Sequence, residues 1–85
     1  MKTPSISDFK RYSFDKKCNV VTSNSNYLMQ REFPKGKAYL YHAQSFYIEV
    51  VYSSEYRKIL MINAFEDYRH LNLYVDMISL ADLSL

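Results

Sequence analysis

Three short apolar runs, Lys37–His42, Phe46–Tyr52 and Ile59–Ile62, lie between polar clusters in the middle of the chain. Their β-branched and aromatic content, with Ala43-Gln44-Ser45 and Ser53-Ser54-Glu55 as intervening turns, predicts three strands in a meander. Upstream, Asn26–Phe33 alternates, placing Tyr27, Met29, Arg31 and Phe33 on one face and Leu28, Gln30 and Glu32 on the other. The first of these is expected to be the better buried. Phe33-Pro34-Lys35-Gly36-Lys37 is the clearest turn in the chain, because proline presets φ at the second position and glycine suits the fourth position of a type I turn. A hairpin should follow it.

In the next strands Ala38, Leu40 and His42 alternate with Tyr39 and Tyr41, and Phe46, Ile48, Val50 and Tyr52 alternate with Tyr47, Glu49 and Val51. After the third turn Ile59, Met61, Asn63 and Phe65 alternate with Leu60, Ile62 and Ala64. Apolar residues on both faces require cover on both, from helices, a second layer, closure into a small barrel or another chain. The flanking segments are the available cover.

At the N-terminal end, Thr3-Pro4 fits an N-cap with proline at the first helical position, and Ser5 with Asp8 fits a capping box, predicting a short helix over about Pro4–Tyr12. Its stripe of Ile6, Phe9 and Tyr12 is thin. Lys16–Thr22, with Cys18, Val20 and Val21, reads as a strand that ends in the polar cluster Ser23-Asn24-Ser25-Asn26. Past Phe65, Leu71, Leu73, Val75 and Met77 alternate as in a strand, whereas Leu71, Tyr74, Val75, Ile78 and Ala81 follow helical spacing. Asp67 as an N-cap, and the weak strand propensity of Asn72 and Asp76, favour a short helix over about Tyr68–Met77. The expected fold is α+β: a four- to five-stranded antiparallel meander with a short C-terminal helix and a short helix at the N terminus.

The 85 residues predict one domain, residues 1–85, and the near absence of glycine with abundant aliphatic and aromatic residues argues for order. Charge is uneven along it. Residues 1–37 carry eight basic and three acidic groups, and residues 38–85 three basic and six acidic, which suits either an anionic partner or mutual attraction of the halves. No apolar stretch approaches the roughly 18–20 residues that span a bilayer. With a single cysteine and no apolar segment after Met1-Lys2, the expected compartment is cytoplasmic, with no membrane association.

Candidate chemistry is sparse. Glu66-Asp67-Tyr68-Arg69-His70 would place Asp67 and His70 on one helical face, where His42 or Glu66 could complete a metal set, but such a run reads more simply as the acidic start of a helix. Cys18 has no activating neighbour and reads as a small buried hydrophobe. The sequence has no GxSxG, P-loop, HExxH or CxxC, and with Gly36 as its one glycine it can build no glycine-rich phosphate loop. No enzymatic activity and no cofactor are expected.

Nine tyrosines and five phenylalanines remain to be explained. Tyr39, Tyr41 and Tyr47 share a face if the 38–42 and 46–52 strands pair, and with Lys37 and Arg57 they are the candidate binding residues. Tyrosine joins a large apolar ring to a polar tip, which suits a protein interface. The first functional expectation is therefore a small protein-interaction module using an aromatic sheet face or edge, its partner another protein or a second copy of itself. The second is a single-stranded nucleic-acid-binding domain using sheet tyrosines and the basic N-terminal half. Glu49, beside Tyr47, opposes the second.

Overall fold

A computed structural model of the chain describes residues 3–66. Two helices, α1 (Ile6–Arg11) and α2 (Phe14–Ser23), precede four strands, β1 (Asn26–Phe33), β2 (Gly36–Ala43), β3 (Phe46–Ser53) and β4 (Lys58–Phe65). The strands form one antiparallel sheet in the order β1-β2-β3-β4, so every pairing joins neighbours in sequence. The α+β meander follows the sequence expectation. The C-terminal helix over about Tyr68–Met77, and any fifth strand there, lie outside the described residues.

Each helix starts at a serine. Ser5 caps α1 by accepting the Asp8 N–H, and Ser13 caps α2 by accepting the Lys16 N–H, both at 3.2 Å. The cap of α1 is thus Ser5 rather than Thr3. Arg11 donates to Asp8 at 2.6 Å; this bond, aided by Ser5, holds the Asp8 carboxyl below its ordinary pKa. Six residues do not sustain a helix in water. What holds α1 is Phe9, fully buried with its ring 5.5 Å from that of Phe46. Truncating such a phenylalanine typically costs about 3–5 kcal/mol.

The strand expected over Lys16–Thr22 is instead the second half of α2. Val20 and Val21 are buried together, which the opposite faces of a strand would not allow against one layer. The Thr22 hydroxyl bonds back to the Cys18 carbonyl, and the Ser25 hydroxyl donates to that of Val21. Those residues therefore feed the helix end rather than a ladder.

Both helices lie on one face of the sheet. Phe9, Val20 and Val21 meet Ala43, Phe46, Ile48 and Val50, with Tyr39, Tyr41, Ile59, Ile62 and Ala64 around them. No residue of β1 belongs to this cluster, so the helical layer stands over β2 to β4. The opposite face carries Met29, Arg31, Ala38, Leu40, His42, Tyr47, Glu49 and Val51, of which Ala38 and Leu40 are buried.

Both edge strands are irregular. The ladder shifts between Tyr27 and Met29 in β1, and opposite Val51 and Tyr52 in β4. The shift in β1 separates Tyr27 from Met29, Arg31 and Phe33, with which simple alternation grouped it. Tyr27 pairs with Tyr41 on the helix side, whereas Met29 pairs with Leu40 on the other side. In β4, Ile59 likewise joins the helix side opposite Tyr52, while Met61 faces Val51.

Two-residue loops close the first two hairpins, and residues 54–57 close the third. At Gly36 a Cβ would collide with the carbonyl oxygen of Tyr52, so only glycine lets β2 and β3 approach as they do. Gln44 is at φ 52°, and the Ser45 N–H donates across it to the Ala43 carbonyl, forming a γ-turn. Ser53, buried, accepts the Tyr56 N–H and so braces the third loop, where Arg57 is at φ 56°.

Candidate interaction edge

Register decides which tyrosines meet. Because Ala43 pairs with Phe46 across the Gln44-Ser45 loop, Tyr41 falls opposite Ile48 and Tyr39 opposite Val50, whereas Tyr47 falls opposite His42. Tyr39 and Tyr41 therefore lie on the helix side, and Tyr47 lies on the other face. The common face expected for the three does not form, because a two-residue loop pairs residues of opposite parity here and alternation sends Tyr47 the other way. Tyr47 instead belongs to an aromatic row across β2, β3 and β4: its ring centroid is 4.9 Å from His42 and 5.8 Å from Phe65. Arg57 is exposed in the third hairpin loop, between β3 and β4, away from β1.

The remaining candidates, Lys37, Tyr39 and Tyr41, stand together on β2 beside β1, and the sequence reading overlooked the residue that completes them. Tyr27 meets Tyr41 edge to face with ring centroids 5.7 Å apart, the arrangement aromatic pairs favour. Tyr41 is half-buried, and its phenol pKa is raised above the ordinary value of 10.0 by burial first and then by Tyr27 and Tyr39. Tyr27 is 53 % exposed, and its neighbour Leu28 in the irregular part of the strand is 46 % exposed. Further along, Gln30 pairs with Tyr39 and Glu32 with Lys37, and the Lys37 ammonium lies 3.6 Å from the Glu32 carboxylate.

This row borders the sheet where one side of β1 has no strand neighbour among the described residues. Helices cover Tyr39 and Tyr41 from one direction, and β1 leaves the other direction open. At the Lys37 end, Glu32, Lys37, Tyr39 and Tyr52 line a shallow depression of about 380 Å³. The signal that could have placed Tyr27 here is the turn Pro34-Lys35, which fixes the β1–β2 register. The bulge that brings Tyr27 onto the Tyr41 side has no comparable mark in the sequence.

Among the described residues no three His, Cys, Asp or Glu side chains gather as metal ligands, and no helix is long and apolar enough to cross a membrane. Asp67 and His70 lie outside those residues. Comparison with family models, with curated proteins and with solved structures finds no match to this chain. The class it defines rests on its own geometry: a small antiparallel meander with helices on one face and an edge strand bordered by tyrosines.

Proposed function

We propose that this protein is a small non-enzymatic protein-interaction module that binds along β1, taking an extended segment of a protein partner or the β1 strand of a second copy. The observation that carries this reading is the Tyr27–Tyr41 pair at an edge strand, with Tyr27 and Leu28 both about half exposed. An added strand gains main-chain hydrogen bonds from the edge, and alternate side chains find the tyrosine row. Tyrosine suits that role because it contributes large contact area with few rotors to freeze. Glu32 beside Lys37, and Glu49 on the other face, favour a protein partner over a phosphate backbone.

The test uses the full chain. Solution mass over a concentration series reads self-pairing, and a displayed library of extended peptides reads hetero-partners. The reading expects either self-association or selected peptides, weakened at least about tenfold in a Tyr27→Ala/Leu28→Asp variant that keeps its thermal midpoint; tenfold is about 1.4 kcal/mol. Binding unchanged in that variant, or a monomer that selects no peptide, refutes it.

A further inference from the structure

Helix α2 does not fill the space between itself and the sheet. Cys18, Val21 and Thr22 stand at i, i+3 and i+4, so they share one flank of the helix, and each is smaller than leucine. Facing them on the helix side of the sheet are Tyr41 of β2, Val50 of β3, and Ile59 and Ile62 of β4. Together they line a cleft of about 160 Å³. Val21 and Val50 are buried and Thr22 is exposed, so the cleft runs from the core to the surface. Protein interiors are otherwise close-packed, and a void forfeits the contacts that its walls would make. An occupant that restores those contacts is stabilised there.

The lining determines what kind of occupant this is. None of its residues is charged. The Thr22 hydroxyl turns to its own helix, donating to the Cys18 and Asn19 carbonyls, both at 3.2 Å. A water molecule needs about two to four polar partners to settle in such a space, and with that hydroxyl committed the walls are chiefly hydrocarbon. Volume sets the size, since a cavity of roughly 150 Å³ lined by aliphatic and aromatic side chains stays dry and holds one benzene molecule.

We propose that the cleft between α2 and the sheet is a binding site for one neutral, apolar molecule of benzene size, such as a single aromatic ring. The ligand makes the contacts that the small residues of α2 leave unmade. It binds the folded chain alone and so stabilises it by mass action. Cys18 enters as part of the wall and as a reporter of occupancy. This inference does not rest on the reading of β1 as the binding edge.

Benzene is the probe, added to the full chain and followed by methyl-detected NMR. The methyls of Val21, Val50, Ile59 and Ile62 should shift together along one curve that saturates below the solubility limit of benzene. Piperidinium, a charged ring with the same number of non-hydrogen atoms, should leave them in place. Cys18→Leu puts hydrocarbon into the cleft, so this variant should keep or raise its thermal midpoint and bind benzene at least about tenfold more weakly. In the unaltered chain, saturating benzene should slow alkylation of Cys18 several-fold, a reading that does not depend on how the variant folds. Methyl shifts that climb linearly to the solubility limit overturn the proposal, as does an equal response to piperidinium. A folded Cys18→Leu variant that binds benzene as before, or alkylation of Cys18 at an unchanged rate, overturns it too.

Discussion

Arg31 on β1 and Glu49 on β3 meet across the strand that separates them, Nη2 to Oε2 at 3.6 Å. Their β2 neighbours in the ladder are Ala38 and Leu40 respectively, so the pair runs diagonally over the two most buried residues of that face.

Removing one partner leaves the other shielded from water. Glu49→Ala should therefore lower stability by about 1–3 kcal/mol, the range for a polar group deprived of a half-buried partner. Glu55→Ala, which breaks the exposed contact with Lys35 at 4.0 Å, should stay within about 0.5 kcal/mol. Urea denaturation of the two variants at one pH and salt concentration makes the comparison, and equal costs would contradict the shielding.

Glycine at 44 should stabilise the protein. A glutamine held at φ 52° pays the steric penalty of its Cβ, which glycine does not, and relief of this kind is worth about 1 kcal/mol. The gain is offset in part by the larger entropy of glycine in the unfolded chain. A rise in the thermal midpoint of Gln44→Gly, with an unchanged denaturant slope, is the expected result.

The opposite substitution at Gly36 should be severe. An alanine Cβ would run into main chain, the Tyr52 carbonyl, rather than into a flexible side chain that can move aside. Strand separation between β2 and β3 would have to grow, at a cost of about 3 kcal/mol, the upper part of the range for overpacking. Equilibrium unfolding of Gly36→Ala measures it.

These sites differ in how far the sequence announces them. The hairpins were legible because turn residues mark them: Pro34 and Gly36 for the first, polar clusters for the others. Alternation then gave the faces of β2 and β3 correctly. It failed at α2, where Val20, Val21 and Thr22 are strand-favouring in isolation, because tertiary burial of adjacent valines on one helix flank outweighed local propensity. The Ser13 cap was the available signal. It failed again at the edges, since a bulge shifts every later side chain by one position and leaves no residue-type mark. The candidate site was therefore half legible: Lys37, Tyr39 and Tyr41 stand together, Tyr47 and Arg57 stand elsewhere, and Tyr27 entered through an irregularity.

Alkaline pH should report on the tyrosine row. The Tyr41 pKa is raised in the folded protein, so folding favours the neutral phenol. Its contribution is complete below the unfolded value near 10 and is lost as pH rises from there toward the folded value. Stability should therefore fall above pH 10, and fall less steeply in Tyr41→Phe. In a spectrophotometric titration at the phenolate band, the same variant should lose absorbance change from the high-pH end of the curve.

The sheet joins only consecutive strands, through loops of two, two and four residues. No pairing has to wait for a distant stretch of chain to arrive, so little loop-closure entropy stands between the unfolded ensemble and the first ladder. The β2–β3 hairpin, whose two strands are the inner ones, can form alone on the microsecond scale and act as a template onto which β1 and β4 zip from either side. The helices, made first during synthesis, have their binding surface only once that template exists. Residues 6–23 thus depend for their structure on residues translated after them.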